Sequence, residues 1–391
     1  MRNGAYVGRV VFVLLLLAST ARAQDEQWLQ YRSAREASTI VGGLATISIP
    51  IENARPTGVE LPEFSDANPI FAWWATRMVS SGRLLIALER SGESTLPDTL
   101  YIDSNGDGQL SDETPVSAYR VDQYNRYFGP VKVVFQIADG PVTYHLNLRY
   151  YGAGDAPRLY ASAGGWYEGD ITVEGGKKHC VLLDYNANGA FDDRSLNPSQ
   201  SDRIAISTEP GATPLFLGKY LEVDGALCRL EVARDGAFVT LAEADDVRFG
   251  KVRVPACISS VTVGGENGQF IVSPEDGAIR VPVGTYRVTT WTINREDDSG
   301  AQWTLQGRNP ANSPALQVAA ASEANLDIGE PIVAALAAKE SQGTFSFSQT
   351  LRGRSGEQIT LTRNGAQPQA PRLSIRNNDG SYDRTFSFAY G

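Results

Sequence analysis

The chain has 391 residues, of which 42% are hydrophobic, 9% aromatic and 20% charged, which suits several packed domains and excludes a mainly disordered polymer. With 38 glycines, 20 prolines, 2 histidines and 3 cysteines, it is neither collagen nor coiled coil, and it has little material for a histidine-rich metal centre or a disulfide scaffold. The 45 acidic and 35 basic residues leave a formal charge of -10, a sign that argues against nucleic acid and anionic membranes as partners.

In chain order, the first residues have the form of a secretory leader. Arg2 and Arg9 precede an apolar run ending at Ala18, and Ala21-Arg22-Ala23 is a small-x-small cleavage site. The run is too short to cross a bilayer, which needs about 20 residues. An exported mature chain without a transmembrane anchor is therefore expected to begin at Gln24. Losing residues 1–23 removes three arginines and no acid, taking the charge from -10 to -13. Cys180, Cys228 and Cys257 allow at most one internal disulfide, Cys228 with Cys257 being nearest in sequence; three buried thiols are the equal alternative.

Residues 25–38 form a polar stretch around Trp28 and Leu29 that is compatible with one helix. Beyond it, short alternating runs dominate, such as Ile47, Ile49 and Ile51, or Tyr144, Leu146, Leu148 and Tyr150. Between them lie Asp-Gly and Asn-Gly pairs, including Asp224-Gly225, Asp235-Gly236, Asp276-Gly277 and Asn364-Gly365. These pairs tolerate the positive φ of tight hairpins, so the density reads as antiparallel meanders. Residues 317–324 and 332–339 are the exceptions with some helical character, the second also compatible with a strand. The expected fold is all-β, with several antiparallel sandwich or meander domains in tandem. The boundaries are a leader at 1–23, a β domain at 24–130, a β unit at 131–208, a meander domain at 209–313 and an immunoglobulin-like sandwich at 314–391, with Pro-rich breaks near 209–214 and 309–314.

The most informative segment begins Asp103-Ser104-Asn105-Gly106-Asp107-Gly108. Oxygen side chains at the first, third and fifth positions followed by glycine form the front half of an EF-hand calcium loop. Alternate side chains then face one cation, the glycine permits the reversal, the carbonyl of Gln109 can join, and Leu110 anchors the loop. Calcium takes 6–8 oxygens, so a downstream acid must complete the shell. Position twelve is Thr114, leaving Asp112 and Glu113 as the available acids. A second copy lies 81 positions on, with Asp184, Asn186, Asn188, Gly189, Ala190 (through its carbonyl), Phe191 and Asp193. The constant offset reads as an internal duplication. Its fifth position is an amide and Arg194 stands beside its acids, which predicts weaker calcium binding or a turn kept without the ion. The competing reading of both loops is an ordinary tight turn, in which Asp and Asn hydrogen-bond their own backbone.

These residues resemble the calcium loops of dockerins, thrombospondin type 3 repeats and EF-hand-like loops of exported bacterial proteins. The resemblance covers about thirteen residues per copy and implies Ca2+ as the ligand, held structurally. The 81-residue spacing departs from the close packing of dockerin copies, so it does not imply a dockerin's partner. The second loop with its flanks, residues 281–303 and the terminal Phe386-Ser387-Phe388-Ala389-Tyr390-Gly391 are also similar to exported multi-domain bacterial β proteins, a likeness that implies no activity.

No His-Glu-x-x-His, Cys-x-x-Cys or Gly-x-Ser-x-Gly motif is present. His145 and His179 are the only imidazoles; an adjacent Cys180–His179 dyad on a strand would point to opposite faces. Carboxylate pairs such as Glu168 and Asp170 stay open as a glycosidase-type alternative. Trp73, Trp74 and Trp166 raise a glycan-binding alternative, because flat rings stack on sugars. The expectation is thus an exported calcium-binding β protein with a structural or binding role, and with a glycan or a protein at the cell envelope as candidate partner.

Overall fold

The computed structural model describes residues 26–34, 44–92, 94–138, 140–154, 156–173, 176–208 and 211–389. The leader and its cleavage site lie outside the described residues. Those residues form strands and, among them, no α-helix; a single 3-10 turn, Pro198–Gln200, is the nearest to one. No described helix is long and apolar enough to cross a membrane. The all-β expectation holds, with nearly all pairings antiparallel.

A large core runs from Leu29 to Val239 and is enclosed by four sheets. The first is a sequential meander of Ile51–Glu52, Ile70–Ala75, Arg83–Glu89, Thr99–Ile102 and Val116–Ser117. Its central strand, RLLIALE, is buried on both faces. Leu84, Ile86 and Leu88 enter the large core, whereas Leu85 and Ala87 meet Phe71, Tyr101 and Leu110 in a small second core. The period of two along a strand produces this division.

A second sheet orders Ile47–Ile49, Arg158–Ala163, Gly140–Tyr151, Asn125–Ile137 and Arg120–Val121. A third orders Leu215–Phe216, Arg203–Ser207, Gly176–Leu183, Gly165–Val173 and Gln30–Ser33, and a fourth joins Gln27–Trp28 to the Tyr220–Val223, Ala226–Val232 and Phe238–Glu243 meander. The expected boundary at 130/131 falls inside the continuous Asn125–Ile137 strand.

The described part of the expected helix over 25–38 is instead two short strands, Gln27–Trp28 and Gln30–Ser33. Each finds a distant partner, Trp28 opposite Phe238 and Tyr31 opposite Tyr167. Long-range pairing here overrides a weak local preference. The Ala-rich run near 317–324 likewise joins the Leu316–Val318 and Glu323–Asn325 strands, and 332–339 enters the Val333–Ser341 strand.

A third core extends from Val252 to Ile359. Residues 314–391, expected to form an immunoglobulin-like sandwich, share sheets with the preceding segment: Gln358–Arg363 pairs with Gln302–Arg308, and Glu323–Asn325 runs parallel to Phe249–Arg253. At the hairpin between Tyr220–Val223 and Ala226–Val232, Asp224 and Gly225 have φ of 52° and 85°, as a primed two-residue turn requires. All three cysteines are thiols, Cys180 and Cys228 buried and Cys257 half-buried.

Candidate functional site

The Thr99–Ile102 strand ends by delivering Asp103 into a buried position, 2% exposed. Its carboxylate accepts from the Gly106 amide at 2.7 Å and the Gly108 amide at 3.0 Å. Asn105 Oδ1 accepts from the Asp107 amide (2.9 Å), and Asp107 Oδ1 from the Gln109 amide (2.8 Å). Gly106 and Gly108 have φ of 76° and 85°, a left-handed backbone that suits glycine. Leu110 is fully buried in the small core, and its amide donates to the Glu60 carbonyl at 2.8 Å.

Three of the expected ligands meet at the mouth of this loop. Asn105 Nδ2 donates to Asp107 Oδ2 at 3.0 Å and to Asp112 Oδ2 at 3.3 Å. The acid that closes the loop is therefore Asp112, at position ten rather than twelve. Glu113 turns back onto Ser104, accepting from its amide (2.5 Å) and its hydroxyl (2.7 Å). The Gln109 side chain accepts from the Glu60 amide at 2.5 Å, which leaves its backbone carbonyl oxygen as the expected calcium ligand. Burial raises the Asp103 carboxyl above the usual carboxylate range, opposed by its two amide hydrogen bonds.

The second loop repeats the trace. Asp184 accepts from the Asn188 and Gly189 amides (3.3 and 2.9 Å), Asn186 Oδ1 from the Asn188 amide (3.2 Å) and Asn188 Oδ1 from the Ala190 amide (3.0 Å). Asn186 Nδ2 donates to Asp193 Oδ2 at 3.0 Å, the counterpart of Asn105 with Asp112. Ala187 and Gly189, equivalent to Gly106 and Gly108, have φ of 50° and 93°. Phe191 takes the place of Leu110, and its amide likewise donates to a distant carbonyl, that of Arg234, at 2.9 Å. Dihedrals and anchor thus agree position by position, and the hydrogen bonds agree but for one shift: Asp184 accepts from Asn188 where Asp103 accepts from Gly106.

What surrounds the two loops differs. Asp103 and Asp184 are both buried, but Asn105, Asp107 and Asp112 are exposed, whereas their counterparts are buried (Asn186) or half-buried (Asn188 and Asp193). Tyr144 Oη donates to Asp184 at 2.8 Å, Trp74 stacks on Tyr144, and the Trp74 indole donates to the Ala187 carbonyl at 2.7 Å. Asn188 Nδ2 adds a bond to Asp193 at 2.6 Å. Arg77 pairs with Asp192 and, at 3.2 Å, with Asp193. Arg194, expected beside these acids, instead donates to the Leu230 carbonyl (2.8 Å) and pairs with Glu231 (3.0 Å). Asp202, fully buried, accepts from the Tyr185 and Asp193 amides (3.0 and 2.8 Å). It does for Tyr185 what Glu113 does for Ser104. Burial pushes the Asp184 carboxyl up to about 7 and raises Asp202 as well.

Sequence reasoning missed Asp202, Arg77, Tyr144 and Trp74. Each reaches the loop from another strand or from a turn elsewhere in the chain, at no fixed spacing. Among the described residues no three His, Cys, Asp or Glu side chains converge as a metal-holding group. Each loop's donor set includes amide and carbonyl oxygens, which are hard ligands of the type calcium accepts.

The other candidate residues have structural partners. Trp74 and Trp166 are buried, and Trp73 lies under the Arg83 guanidinium at 4.0 Å. Glu168 is held by Arg32 and the Trp166 indole, with His179 Nε2 at 4.0 Å and Asp170 on the far side of that ring. His145 stacks on Tyr31 at 4.9 Å. No family model, curated protein or solved structure matches the chain.

Proposed function

We propose that this is an exported β protein whose first loop binds calcium, and that the ion's role is structural. The observation supporting this reading is the convergence of Asn105, Asp107 and Asp112 at the mouth of a loop whose backbone amides already orient Asp103. Like-charged carboxylates held this close repel one another, and a divalent cation removes the repulsion while tying the Thr99–Ile102 strand to the small core through Leu110. The second loop keeps the turn with Arg77 and hydrogen bonds supplying the closure. A structural role at the envelope or outside the cell fits affinities of about 10⁻⁴ to 10⁻³ M, because extracellular calcium is steady.

The experiment is thermal unfolding of the mature chain in millimolar calcium and in chelator, with magnesium as the control ion. Calcium should raise the melting temperature and magnesium should not. Coincident curves in calcium and chelator would refute the reading.

A further inference from the structure

The sheet of Ile47–Ile49, Arg158–Ala163, Gly140–Tyr151, Asn125–Ile137 and Arg120–Val121 has one face in the large core and the other turned outward. In a chain with 45 acidic residues, these five strands contain no Asp or Glu. Their outward face carries a row of direct cross-strand neighbours: Arg120 opposite Tyr127, Tyr127 opposite Arg149, and Arg149 opposite Tyr160. The Arg120 guanidinium lies 4.8 Å from the Tyr127 ring centre and that of Arg149 lies 4.6 Å from Tyr160. Arg158 extends the row, its Nη1 at 3.5 Å from Tyr160 Oη.

Among the described residues, none of Arg120, Arg149 and Arg158 forms an ion pair. Stacking on a ring fixes the plane of a guanidinium while leaving its N–H fork directed outward, a geometry that matches carboxylate bidentately. Beside the row, Asp122 has its carboxylate engaged by the amides of Tyr124 and Asn125 and by the Asn125 side chain, with the Arg120 charge a smaller influence on it. Exposed tyrosines, Tyr119 and Tyr124, flank the row.

We infer that this face binds an acidic polysaccharide, with uronate carboxylates on Arg120 and Arg149 and sugar rings against the intervening and flanking tyrosines. Two strand spacings separate Arg120 from Arg149, about 9.5 Å, a length close to that of a disaccharide. Arg120 and Arg149 then meet every second carboxylate of a polyuronate, with the sugar rings between them lying against the tyrosines. The chain's acidic excess lies elsewhere and is screened beyond a Debye length of about 8–10 Å at physiological salt. This site is independent of the calcium loops.

The test is binding of the full mature chain to polygalacturonate at physiological salt and in chelator, so that the chain's acidic excess is screened and calcium cannot bridge protein and polymer. The comparison polymers are neutral dextran and single-stranded poly(dT). Arg120→Gln with Arg149→Gln should weaken polygalacturonate binding about tenfold or more with an unchanged melting temperature. The charge-matched control, Arg372→Gln with Arg384→Gln, should not weaken it, and dextran should not bind. The inference is overturned by absence of polygalacturonate binding, by binding insensitive to the Arg120 and Arg149 changes, or by poly(dT) binding as tightly with the same sensitivity.

Discussion

The two loops share one backbone trace and differ in what closes it. Around Asp103 the closing groups are exposed and anionic, and only an amide N–H stands between Asp107 and Asp112. Around Asp184 the protein supplies its own closure: Arg77 on Asp192 and Asp193, Tyr144 on Asp184, and Asp202 on two loop amides. On the proposed reading, the same turn takes an external cation in the first loop and an internal one in the second. The fifth position, Asp107 against Asn188, and residues outside the motif such as Arg77 separate the two.

The comparison can be broken most forcefully at the second loop's supports. Trp74 is fully buried and joins the first meander to Ala187. Trp74→Ala should cost about 3–5 kcal/mol in urea unfolding, equally in calcium and in chelator. A loss seen only in one of these conditions would mean that the second loop depends on the ion.

A pH series sharpens the same point. Burial raises the Asp184 carboxyl to about 7 in the folded chain, against about 4 when unfolded. Between those values the folded state binds more protons than the unfolded one, so stability falls as pH rises from 4 to 7, and Asp202, raised by the same burial, extends the fall upward. Because Arg77 already occupies the acids of the second loop, this slope should be the same with and without calcium in an Asp107→Ala chain, where the first loop cannot answer the ion. A slope flattened by calcium would place the ion at Asp184.

At the first loop, Asp107→Ala should remove the calcium-dependent part of stability, about 2.7 kcal/mol at a calcium concentration one hundred times the dissociation constant. Stability in chelator should change little, since Asp107 is exposed. The smallest effect is expected from Arg77→Ala. Losing exposed ion pairs costs about 1 kcal/mol or less in chelator. With Asp192 and Asp193 released, however, calcium should now recover the loss, which a melting series in both conditions would reveal.

Much of the architecture was legible in the chain because strands carry a period of two and tight hairpins need residues that accept positive φ. The pattern around Asp224-Gly225 is realised as read. The repeat at 81 positions was legible too, since loop geometry is local: each Asp and Asn bonds an amide within five residues. The stretch around Trp28 was misread because its strands exist only through partners at Phe238 and Tyr167. For the same reason the sequence did not reveal that Trp74 lies against Ala187, 113 positions away, or that Asp202 rather than a nearby acid serves the second loop. Glu113 was expected at the ion because it lies next to Asp112, but the turn directs it onto Ser104. Neighbours in sequence do not share a direction once the chain reverses.

The most direct measurement is calorimetric titration of calcium into the mature chain, run in parallel with Asp107→Ala and Asn188→Ala. The account predicts one calcium per chain, abolished by Asp107→Ala and retained in Asn188→Ala. No binding, two equivalents, or a single equivalent that survives Asp107→Ala would contradict it.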